Sequence, residues 1–122
     1  MNKKELQTLV DWAKKTLNFE DIHIDLCVQD DPPEWIDDKY TTNAGVCLIS
    51  PALKTANIWV SPSICKDQEF TIEEVLIHEI LEAWFGEAGF LNNNERKHFI
   101  VNRLGIVLES LWRLQRIQRS MK

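Results

Sequence analysis

Residues 71–85, TIEEVLIHEILEAWF, constrain the fold more than any other part of the chain. Thr71 opens a capping box, Thr71-Ile72-Glu73-Glu74, with Glu74 at the reciprocal position. The helix this starts is expected to stop near Gly86 and Gly89. At about 100° per residue, Ile77, Ile80, Leu81, Trp84 and Phe85 fall on one wide apolar arc. So apolar a helix must be largely buried, and the other elements must pack around it. His78 and Glu82 lie one turn apart at the border of that arc. A carboxylate there is costly unless it is paired, hydrogen-bonded or bound to a metal. Something has to satisfy Glu82.

The other elements follow from changes of hydrophobic period. Leu6, Leu9, Val10, Ala13 and Leu17 recur at helical spacing, predicting a helix over about 3–17. Ile22, Ile24, Leu26 and Val28 then alternate with His23, Asp25 and Cys27, as in a strand with one buried face. Asp30-Asp31-Pro32-Pro33-Glu34 breaks regular structure and places an acidic surface loop at 29–43. Strands are expected at about 44–50 and 56–61, and the short link 51–55 makes them an antiparallel hairpin. A long helix is expected from a cap at Asn94 to about Arg119. Its buried stripe is read as Ile100, Leu104, Val107, Leu108, Leu111 and Leu114. Gly105 inside it suggests a close helix crossing. The order α-β-β-β-α-α defines an α+β domain with a small, mostly antiparallel three-stranded sheet. With 122 residues the chain forms one domain, 1–122.

Composition removes several function classes. The net charge is −5, and eight carboxylates between Glu20 and Asp38 are unrelieved by any Lys or Arg. Such a face repels a phosphate backbone, so nucleic acid is not expected as partner or substrate. No apolar run approaches the roughly 18–20 residues that span a bilayer, and the N-terminus lacks an apolar signal core, so neither membrane nor secretion is expected. Cys27, Cys47 and Cys65 form no CxxC pair, which fits reduced, structural thiols in a cytoplasmic protein.

A metal ion would satisfy His78 and Glu82 together, because an imidazole nitrogen and a carboxylate oxygen one turn apart can converge on one cation at about 2.0–2.2 Å. Glu79 would then lie beside the site, where a general base belongs. His78-Glu79-Ile80-Leu81-Glu82 resembles the HExxH helix of zincin metallopeptidases. The order of helix, small sheet, motif helix and long ligand-bearing helix resembles a minimal, gluzincin-like domain over most of the chain. More narrowly, it looks like small phage and prophage proteins described as metallopeptidases. The resemblance implies that His78 and Glu82 bind zinc and that Glu79 polarises water. It also implies a third ligand from the following helix, where His98 stands 16 residues beyond Glu82. Glu95 and His23 are the alternatives. It further implies that the strand before the motif helix, around Ile58-Trp59-Val60, is an edge to which an extended peptide adds. Glu82 stands where the family has a second His, which makes the site more negative.

Two readings follow. In one, the domain hydrolyses peptide bonds with one divalent metal, zinc first, and acts on a peptide or protein. Arg103 or another donor would stabilise the oxyanion. In the other, it is a catalytically degenerate zincin-like module that binds or regulates a partner through the acidic loop around Trp35. The plain structural alternative is that His78 and Glu82 are an i,i+4 hydrogen-bonded pair.

Overall fold

The computed structural model describes residues 2–87 and 95–121, with Glu87 and Glu95 in backbone only. Among these, α1 spans Lys3–Thr16, β1 His23–Val28, β2 Gly45–Ser50, β3 Thr55–Val60, α2 Pro62–Asp67, α3 Ile72–Glu87 and α4 Glu95–Ser120. The domain is α+β, as the pattern of periods predicts. The expected stop at Gly89 and cap at Asn94 lie outside the described residues.

Each helix start has a local cause. Asn2 caps α1 by accepting from the Glu5 amide, and Leu6, Leu9, Val10 and Ala13 are its fully buried face. Thr71 and Glu74 form the reciprocal box: the Thr71 amide donates to Glu74 Oε1 at 3.0 Å and the Glu74 amide to Thr71 Oγ1 at 3.1 Å. Helix α2 is absent from the sequence reading. Ser61 caps it and Pro62 takes its first turn, but six residues are too few to show a helical period.

The sheet has the order β1-β3-β2. The hairpin pairs β2 with β3 antiparallel, and β1 joins the other side of β3 in parallel. β3 is therefore the central strand. This corrects the edge role that the resemblance gave to Ile58-Trp59-Val60; the edges are β1 and β2. Register places Leu26, Ile58 and Cys47 on one face, and Cys27, Trp59 and Val46 on the other. The first face packs on α1 and α3, where Ile58, Val60, Leu76, Ile77, Ile80 and Leu81 are all at most 1% exposed. Full burial of one such side chain contributes about 1.5–3 kcal/mol. The second face is covered by the acidic segment. Ile36 packs against Val46 and Trp59, the Trp59 indole donates to the Gln29 carbonyl at 2.9 Å, and Ser61 Oγ donates to the Asp30 carbonyl at 3.0 Å. The loop is thus tied down at its base and through Ile36, while its carboxylates face solvent.

Helix α4 differs most from its sequence reading. It packs on α3 through Val101, Leu108 and Trp112, and the Trp112 indole donates to Glu73 Oε2 at 3.1 Å. Ile100, Val107, Leu111 and Leu114, expected inside, are exposed. The chain carries two apolar rows on α4, and periodicity cannot say which one α3 covers. Nor does the crossing demand Gly105: a Cβ there would meet only Leu81 Cδ1, at 3.9 Å, an ordinary contact.

Candidate metal centre

A cleft of about 780 Å³ opens between β2, α3 and α4. His78, Glu79 and Glu82 come from α3, Lys97 and His98 from the first turn of α4, and Gly45 and Cys47 from β2. One oxygen or nitrogen from each of His78, Glu82 and His98 lies within 4.8 Å of the others. Ligand atoms about 2.1 Å from one zinc stand roughly 3.4 Å apart in a tetrahedron, so side-chain shifts of about 1 Å would close the set. The group could hold a metal ion. The structure thus brings His98 to His78 and Glu82. It leaves His23 on the far edge strand, exposed and 2.9 Å from Asp25. The side chain of Glu95 lies outside the described residues. Arg103 stacks on Phe99, 5.1 Å from the ring centroid, and does not line the cleft.

Glu82 is satisfied on one oxygen only. Its Oε2 accepts from Lys97 Nζ at 2.8 Å, and both side chains are largely buried. Its Oε1 is buried without a hydrogen-bond partner, 3.7 Å from His78 Nε2. That separation is too long for a hydrogen bond, so the plain i,i+4 pair is not formed. A buried carboxylate oxygen left unmatched beside two imidazoles has the chemistry of a cation ligand. Glu109 Oε2, on the opposite wall, is the other buried oxygen without a partner among the described residues. No histidine joins Glu109 in a ligand group.

Burial lowers the His78 pKa; the Glu82 charge opposes this, while His98 and Lys97 add to it. The neutral imidazole that results is the state a metal needs. Burial pushes the Glu79 pKa up to about 8, Glu82 adding to the rise and Lys97 opposing it. Gly45 makes that burial possible, since a Cβ there would stand 2.5 Å from Val75 Cγ1 and 3.1 Å from Glu79 Oε2. Only glycine lets β2 close over the Glu79 carboxyl. The Cys47 thiol is raised by burial first and by Glu79 and Glu82 next, which makes it an unreactive wall.

The Glu79 shift implies a pH effect on the metal-free protein. Its folded pKa lies above the unfolded one, so the contribution to stability is complete below about pH 4.5 and is lost as pH rises through about 8. Between pH 4.5 and 7 the loss amounts to about 3 kcal/mol. Urea midpoints in chelator should therefore fall with pH more steeply for the parent than for Glu79→Gln. Parallel profiles for the two proteins would show that the carboxyl ionises without cost.

Lys97 and Gly45 escaped the sequence reading. Lys97 sits in a polar run, Glu95-Arg96-Lys97-His98, that reads as solvent-facing. Its one signal was that Glu82 required a counterion. Compared with known proteins, the chain matches no family model, and no curated protein or solved structure matches it. Among the described residues, no helix is long and apolar enough to cross a membrane.

Proposed function

We propose that the chain is a zincin-like, zinc-dependent hydrolase of peptide bonds, with His78, Glu82 and His98 as the metal ligands and Glu79 as the general base. The observation that carries this reading is the unmatched, buried Glu82 Oε1 facing His78, in a group that His98 completes. A zinc ion held there would supply Lewis acidity toward a carbonyl oxygen. The charge of a cation held there would return Glu79, adjacent to the group and lining the same cleft, to its carboxylate form, and Glu79 would then take a proton from the attacking water and return it to the leaving amine. β2 borders the cleft as an edge strand, so an extended peptide can pair with its backbone within reach of Glu79.

A second reading, a zincin-like module that binds without turnover, draws on the Glu82–Lys97 pair. The ammonium engages one ligand oxygen and adds positive charge where a cation must sit.

Metal content of the untagged protein tests the site common to both. About one equivalent of zinc is expected in the parent, with His78→Ala and Glu82→Ala each losing it. A parent that neither carries zinc nor regains it on dialysis would sink both readings.

A further inference from the structure

The exposed row on α4 has the spacing of a coiled-coil seam. Ile100, Leu104, Val107, Leu111, Leu114, Gln118 and Met121 alternate steps of four and three, the a/d pattern, over three heptads. Val107 is 56% exposed, Leu111 46%, Leu114 51% and Met121 80%, and Leu104 is half-buried. Phe99, Ile106 and Ile117 widen the row and are 56–66% exposed. Val101, Leu108 and Trp112 already serve α3 from a stripe about 100° round the helix. The seam is therefore a second apolar face, which adjoins the core only at Leu104.

We propose that this face is where a second copy of the chain packs, α4 against α4 across a two-fold axis. Two observations select that occupant and a third permits it. The first is pattern: a/d spacing is what two helices need to interlock knobs into holes, and a two-fold axis lets one seam serve both partners. The second is area. The eight exposed apolar side chains on this face present on the order of 800 Å² per subunit, which is what each partner of a standard stable interface buries. An apolar patch this large is at the limit of what monomers expose. The third is charge. Arg113, Arg116 and Arg119 crowd the C-terminal turns of α4, with Arg113 paired to Glu109 and Arg116 to Glu73. Antiparallel packing separates the two basic ends and opposes the helix dipoles, so the charge allows the pairing in that orientation. Gln118, the polar residue at an a position, would favour one register over a slipped one.

None of His78, Glu82 and His98 belongs to the seam, and of the residues that form or widen it only Ile106 also lines the cleft. The dimer therefore stands or falls apart from the proposed hydrolase.

Light scattering on the eluting full chain tests it. At about 50 μM the parent should run at twice the 14.3 kDa chain mass, and Val107→Glu/Leu114→Glu at the single-chain mass. Both side chains point outward, so the variant should keep the parent's far-UV circular dichroism and zinc content. Fluorescence of the parent mixed with anionic phosphatidylserine vesicles completes the set. A parent that is monomeric at 50 μM overturns the proposal, whether it binds the vesicles or not. A parent dimer unchanged in the double variant overturns it too, by placing the interface elsewhere.

Discussion

Lys97→Met should destabilise the metal-free protein by about 3 kcal/mol, a loss as large as that of a core leucine. The side chain of Glu82 is only 18% exposed and that of Lys97 only 9%, so removing the ammonium leaves a carboxylate that water cannot reach well enough to solvate. The aliphatic part of Met refills most of the volume, so the loss reports charge more than packing. Two controls make the result specific. Lys97→Met/Glu82→Gln should recover most of the stability, because the stranded charge is gone. Zinc should raise the melting temperature of Lys97→Met more than that of the parent, since the cation then supplies the missing counterion. A single variant as stable as the parent in chelator would mean that Glu82 does not need Lys97.

Glu79→Gln should lower turnover of an unstructured peptide by about 10²–10⁴-fold while leaving zinc content at the parent's level. The amide keeps the shape and burial of the carboxyl and removes only its ability to accept a proton. Glu79 is placed beside, and not within, the ligand group, so the metal should be indifferent to the change. The pair of readouts separates the two functional readings. Loss of turnover with zinc retained supports the hydrolase. A parent that holds zinc but cleaves no peptide, and is unaffected by the substitution, favours the binding module.

The neighbourhood of His78 and Glu82 was legible in the sequence because it rests on local geometry. Two residues four apart on a helix are neighbours wherever the helix goes, so His78 and Glu82 needed no tertiary information. Glu82 on an apolar arc announced that it required a partner. His98 came from the resemblance, and its place in the first turn of α4 is what brings it near. Lys97 was not legible, because its pairing spans two helices whose relative rotation no periodicity encodes. Strand order was hidden for a similar reason. Ile58-Trp59-Val60 alternates in the same way whether β3 is central or an edge, and the parallel pairing with β1 is a long-range contact. Trp59 shows the consequence. Its face is sealed by Ile36 from a loop whose charges suggested solvent alone.

Helix α4 marks the boundary between the two sources of information. The sequence by itself determined that a long helix follows Asn94 and runs to about Arg119, that α3 is capped by Thr71 and buried, and that a carboxylate and an imidazole share one turn of α3. Each depends on residues within a few positions of one another. Which of the two apolar rows of α4 meets α3, which strand is left at the edge, and which cation reaches Glu82 were decided only by the tertiary structure. Those depend on how one helix rotates against another and on how strands order in a sheet. Packing across the whole core selects both, and no short window of sequence holds that sum.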